Sequence, residues 1–144
     1  ESADASRQAE IVALQARIDT LEAVFVSDVI LNTETRTESG KWPKFDGTID
    51  LDATWRFLEA GSTRVNGGYT ITWTNNTNSD ITVNYSLVFS DASGIQLGEY
   101  DPFDDFALDA GENRKRTGNF NFTASVARAN QVKSMDIWAG FTER

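Results

Sequence analysis

Between Tyr69 and Gly94 the chain alternates so cleanly that few folds can accept it. Tyr69, Ile71 and Trp73 fall on one side, with Thr70, Thr72 and Thr74 on the other. After a polar break from Asn75 to Asp80, a second run begins. Ile81, Val83, Tyr85, Leu87 and Phe89 take one side, and Thr82, Asn84, Ser86, Val88 and Ser90 the other. A period of two sends successive side chains to opposite faces of a pleated strand, so each run has one face to bury. The break consists of turn-forming residues, and Asp91-Ala92-Ser93-Gly94 closes the second run with another turn. The pattern predicts a β-hairpin at the centre of an all-β domain.

The same period recurs along the chain. Val29, Leu31, Thr33 and Thr35 alternate with Ile30, Asn32 and Glu34 as a first strand, followed by a Gly- and Pro-punctuated loop from Ser39 to Gly47. Ile49, Leu51, Ala53, Trp55 and Phe57 share one face of the next strand. Ile95 and Leu97 open a strand toward Tyr100, Asp101 to Asp105 forms an acidic corner, and a further strand runs from about Arg114 to Phe122. Thr123 to Gln131 accommodates one helical turn, and the last strand sets Met135, Ile137, Ala139 and Phe141 opposite Asp136, Trp138 and Gly140. Seven or eight strands at this spacing predict a mainly β fold, an antiparallel immunoglobulin-like β-sandwich, although the characteristic cysteine pair is missing. With hydrophobic residues at 40% and four tryptophans, the chain can build a core without covalent staples.

Residues 1–27 read differently. Gly and Pro are absent, and Ile11, Leu14, Ile18, Leu21 and Phe25 step by three and four, a heptad seam with Ile at a and Leu at d. Arg17 and Glu22 fall at g and the following e, where they complement each other across a parallel dimer. The expected organisation is an N-terminal amphipathic, coiled-coil-like helix over 1–27, a stalk or oligomerisation segment, and a β-sandwich domain over 28–144. The alternative for the helix is to lay its stripe on the sandwich in cis.

Composition excludes several chemistries. Acids number 22 against 13 bases, for a net charge of −9, so nucleic acid is a poor partner. The absence of Cys and His excludes the usual zinc ligand sets, cysteine nucleophiles and histidine triads. No apolar run is long enough to span a bilayer. The chain begins at Glu1, which favours an excised ectodomain, with any membrane association through an anchor outside this sequence.

Leu87-Val88-Phe89-Ser90-Asp91-Ala92-Ser93-Gly94 and Leu108-Asp109-Ala110-Gly111-Glu112 carry a resemblance. A strand ending in an aromatic-Asp-x-x-Gly turn, then a Leu-x-x-Gly-Glu turn before the next strand, resembles the FxLYD-type bacterial domain. The preceding Asn75-Asn76-Thr77 fits the same pattern. The resemblance covers about a third of the chain and departs at the Tyr-Asp pair, where Phe89-Ser90-Asp91 has an extra residue. It implies an extracytoplasmic module, in the periplasm or at the cell surface and often lipid-anchored, with no catalytic residues.

Four aromatics fall off the expected core faces: Trp42, Phe45, Tyr100 and Trp138. Exposed planar rings stack on sugars and anchor partners, so these are the candidate ligand-binding residues. Trp55 and Trp73 are assigned to the core. Asp91, Asp101, Asp104, Asp105 and Asp109 cluster in sequence but lack a calcium-loop spacing, and no metal or cofactor is assigned. Arg114-Lys115-Arg116 reads as charge guarding a strand edge. The acid pairs Asp50/Asp52 and Asp104/Asp105 are the nearest approach to a glycosidase arrangement, and no nucleophile with a base accompanies them. The expected function is therefore a non-catalytic extracytoplasmic interaction or adaptor module with an unknown protein partner, weakly self-associating through the N-terminal helix. The alternative is a carbohydrate-binding module using exposed tryptophans.

Overall fold

Alternation becomes strand almost wherever it occurs. The computed structural model describes residues 6–16 and 30–144. Residues 6–16 form a helix, α1. Eight strands follow: β1 Arg36–Lys44, β2 Gly47–Ala60, β3 Arg64–Asn76, β4 Ile81–Ser90, β5 Gln96–Tyr100, β6 Phe106–Leu108, β7 Asn113–Thr123 and β8 Ser134–Glu143. A one-turn helix, α2 (Val126–Asn130), precedes β8, and the Ser125 side chain caps it by accepting from Arg128 N. The chain divides into two compact units between Ile30 and Leu31. In the first unit Ile11 and Leu14 are exposed. Ile18, Leu21 and Phe25, with Arg17 and Glu22, lie outside the described residues, as does the expected boundary at residue 27.

The second unit is mainly β, built from two antiparallel sheets in a sandwich-like arrangement. One sheet has the order β1-β2-β3-β7. In the other, β4 is central: β8 pairs along its whole length, while β6 pairs Ile81–Val83 and β5 pairs Leu87–Ser90 on the opposite edge. The two short strands thus act as one interrupted edge, and Asn84, Tyr85 and Ser86 face the interruption. Inward residues of both sheets form one core. Trp55 is its hub, with the rings of Phe57, Phe89 and Phe120 at 5.5–6.4 Å. Trp73 packs against Tyr85 at 5.5 Å. Each such buried side chain contributes about 1.5–3 kcal/mol.

Three sequence expectations are corrected. First, β3 and β4 are not a hairpin. They belong to different sheets, and Asn75–Asp80 arches between them, so the two alternating runs face each other across the core instead of pairing edge to edge. The reason is a buried amide. Asn75 Nδ2 donates to Ser79 O and Leu108 O, and its Oδ1 accepts from Thr77 N and Oγ1. Asn75 O also accepts from Gly111 N, where a φ of +78° suits glycine.

Second, the first strand lies later than expected. It begins at Arg36 and runs through the supposed loop, leaving only Phe45 and Asp46 as the turn to β2. Pro43 is tolerated because β1 is an edge strand. Arg36, Glu38 and Trp42 therefore point inward. Glu38 Oε2 accepts from Trp55 Nε1 (3.1 Å) and from Met135 N on the opposite sheet (2.7 Å). Third, the Arg114-Lys115-Arg116 run does lie on an edge strand, β7, but its charges divide: Lys115 stays outward, whereas Arg116 turns into the space between the sheets and pairs with Asp104.

Candidate functional site

The interruption in the second sheet's edge creates a groove on its outer face. On β4 the core-facing residues leave Asn84 and Ser86 outward. In the antiparallel register Ser86 lies beside Trp138 and Asn84 beside Gly140 of β8. Trp138 is 63% exposed, although its strand neighbours Ile137 and Ala139 pack against the core. The segment from Asp101 to Asp105 links β5 to β6 across the gap and brings Phe103, 86% exposed, to the same place. Trp138, Phe103, Asp101, Asp105, Asn84, Tyr85 and Ser86 together line a hollow of about 340 Å³.

The groove's rim is held from beneath. Tyr85 O–H donates to Asp104 Oδ2 (2.8 Å), and Tyr69 and Tyr85 share a hydrogen bond at 3.2 Å. Arg116 Nε donates to the same carboxylate oxygen at 2.8 Å, Arg116 Nη2 bonds the other, and the guanidinium lies 4.9 Å from the Phe106 ring centroid. A two-toothed guanidinium–carboxylate pair fixes orientation as well as charge. It ties the linking segment to β7 through Asp104, and Asp101 Oδ1 accepts from Phe103 N at 2.8 Å. Phe103 is thereby held at a φ of +51°, a left-handed conformation costly for a non-glycine residue.

The Arg116 hydrogen bonds hold the Asp104 carboxyl below the usual carboxylate range. Burial first, then hydrogen bonding to Tyr69 and Asp104, pushes the Tyr85 phenol above its usual value; burial also raises Tyr69. The signs differ. A depressed carboxyl stabilises the fold above its unfolded pKa of about 3.9 and loses that contribution as pH falls through the folded value. Raised phenols stabilise below about pH 10 and lose that contribution as pH rises through their folded values. Urea midpoints should therefore fall on both flanks, below about pH 4 and above about pH 10. Asp104→Asn should flatten the acid flank, and Tyr85→Phe the alkaline one. An Asp104→Asn profile that matches wild type below pH 4 would remove this carboxylate as a cause.

The four sequence-derived aromatics are not brought together. Trp138 alone lies in the groove. Trp42 is half-buried, stacked on Trp73 at 5.8 Å and edge-on to Phe141 at 5.5 Å. Tyr100 is half-buried against the core. Phe45 is exposed at the β1–β2 turn, at a φ of +55°, with the Lys44 ammonium 5.7 Å from its ring. Phe103 was missed. Its one signal is an apolar residue in an acidic segment that belongs to no alternating run.

The acidic corner separates by direction. Asp104 is bound inside, whereas Asp105 lines the groove, so they do not form a working pair. Asp91 accepts from Ser93 N and Ile95 N to shape its turn, and Asp109 pairs with Arg144. Among the described residues no group of three or more acids converges as a metal site. Asp50 accepts from Asn76 Nδ2 at 2.8 Å. The Leu108–Glu112 motif is turn chemistry: Glu112 Oε1 accepts from Asp109 N, and Glu112 N donates to Asp109 O.

A larger hollow of about 950 Å³ lies beside the β2–β3 turn, lined by Leu58–Gly67 and by Asn119–Asn121 of β7. Two pairs of its polar side chains are engaged with each other: Asn66 donates to Glu59, and Arg64 to Asn121. The smaller groove offers exposed rings and uncommitted polar atoms, so it is the better candidate. Among the described residues no helix is long and apolar enough to cross a membrane. No family model matches the chain, and no curated protein matches it.

Proposed function

We propose that this protein is a non-catalytic extracytoplasmic interaction module, an immunoglobulin-like sandwich that binds its partner through the outer face of the second sheet. The observation that carries this is the pair of exposed rings, Trp138 and Phe103, beside one groove over a rigidly tied support. Large rings left in water are where binding energy concentrates when a partner covers them. Of the acids nearby, Asp101 shapes the turn at Phe103 and Asp104 pairs with Arg116, which leaves Asp105 without a second free carboxylate from this corner to work with and supports a binding role over a catalytic one. The FxLYD-like turns at Asp91–Gly94 and Leu108–Glu112 support the extracytoplasmic assignment.

Self-association through a coiled-coil-like α1 belongs to the same proposal, supported by the exposed Ile11 and Leu14. Sedimentation equilibrium over a concentration range, with Leu14→Asp as control, tests it. A strict monomer at high concentration removes the dimer.

One observation favours a second reading, carbohydrate binding. Trp138 stands beside Asn84 and Ser86, an apolar ring with amide and hydroxyl neighbours. Trp42 takes no part, because its ring is stacked on Trp73. Immobilised protein and its Trp138→Ala variant should be compared on a glycan array and against envelope extract. A protein ligand retained by wild type and lost by the variant, with thermal stability unchanged, is the expected result. Reproducible sugar binding lost in the variant would put the second reading first.

A further inference from the structure

The groove is anionic as well as aromatic. Asp101 and Asp105 line it, and no lysine or arginine does. The outward strand positions around it continue the trend. Glu99 of β5 and Asp136 of β8 both pair with Val88 of β4, so they flank it in one cross-strand row, and Asp136 shares an outward face with Trp138. Asp105 is exposed and has no hydrogen-bond or ion-pair partner among the described residues. Arg116, which reaches this segment, is committed to Asp104 on the inner side.

Aromatic faces carry negative potential, and a cation that settles on one is attracted the more when carboxylates complete its surroundings. An anionic ligand meets repulsion from every ionised side chain here. A neutral sugar would use the rings and leave the carboxylates without a counter-charge. A lysine or arginine side chain uses both: its ammonium or guanidinium meets Asp105, and its face or stem meets Trp138 and Phe103. We propose that this groove binds a cationic side chain of a partner polypeptide, so that the module recognises a basic segment. This rests on the reading of the outer face as the binding surface and adds the chemistry of what it takes.

The test uses the whole chain and a fluorescein-labelled tetralysine peptide, with tetraglutamate as its opposite, followed by anisotropy at 0.15 M salt. Tetralysine should bind and tetraglutamate should not. Trp138→Ala and Phe103→Ala should each weaken tetralysine binding by roughly two- to thirtyfold. Asp105→Asn should weaken it, whereas Asp52→Asn, the same charge change on the other sheet, should leave it within about twofold. Thermal melts confirm that each variant is folded. Equal loss in Asp52→Asn and Asp105→Asn, or full binding by Trp138→Ala, overturns the proposal, because net charge alone then attracts the peptide. If tetralysine fails while a neutral ligand is lost with Trp138→Ala, the cationic assignment falls and the binding face stands. If no ligand depends on Trp138, both fall.

Discussion

Replacing Asn75 with alanine is expected to lower the unfolding free energy by about 3–5 kcal/mol, close to the limit for a single substitution. The side chain is wholly buried and makes four hydrogen bonds, two from Nδ2 and two to Oδ1. Alanine abandons the carbonyls of Ser79 and Leu108 and the N–H of Thr77. A stranded buried polar group costs about 1–3 kcal/mol, so losing several partners at once outweighs the modest net value of any one bond. The side chain also joins two segments, the arch itself and the end of β6, so repair at one cannot rescue the other. Asn75→Asp should not recover the loss at neutral pH, because an ionised carboxylate cannot donate to the two carbonyls. Urea unfolding followed by tryptophan fluorescence measures both variants. A loss under about 1 kcal/mol for alanine would mean that the amide does not organise the arch.

Trp55→Ala should be comparably severe, at about 3–5 kcal/mol. The indole is 2% exposed and touches Phe57, Phe89 and Phe120, while the Arg36 guanidinium lies 4.8 Å from its ring centroid. Truncation leaves a cavity where both sheets meet, and rings on opposite sheets cannot collapse into it without moving their strands. A gentler comparison isolates the polar contribution. Trp55→Phe keeps most of the packing and deletes the Nε1–H donated to Glu38, a bond to a charged acceptor worth about 1.5–3 kcal/mol. The indole N–H of Trp73 is buried with no hydrogen-bond partner among the described residues, so Trp73→Phe has no such bond to lose. Trp55→Phe should therefore destabilise more than Trp73→Phe. The reverse order, measured by the same urea unfolding, would show that indole volume outweighs the Glu38 contact.

Strand phase was legible in the chain because it is local. Whether Ile71 and Trp73 point with Tyr69 depends only on backbone pleat, and the same rule assigned Trp55 and Trp73 to the core and left Trp138 outside. The turns at Asp91–Gly94 and Leu108–Glu112 were legible for the same reason: a side chain bonding a backbone group two to four residues away announces itself in residue type. Pairing between strands is not local. The run Asn75–Asp80 has the composition of a hairpin loop, and its conversion into an arch depends on Leu108 O, more than thirty residues away. Lys41 to Lys44 resembled a loop because an edge strand can carry Pro43. The candidate groove illustrates the same division. Trp138 was found by its phase. Phe103 and Asp105 join it because β5 and β6 leave a gap beside Tyr85 and because Asp104 is drawn inward by Arg116, and both conditions exist only once the sheets have packed.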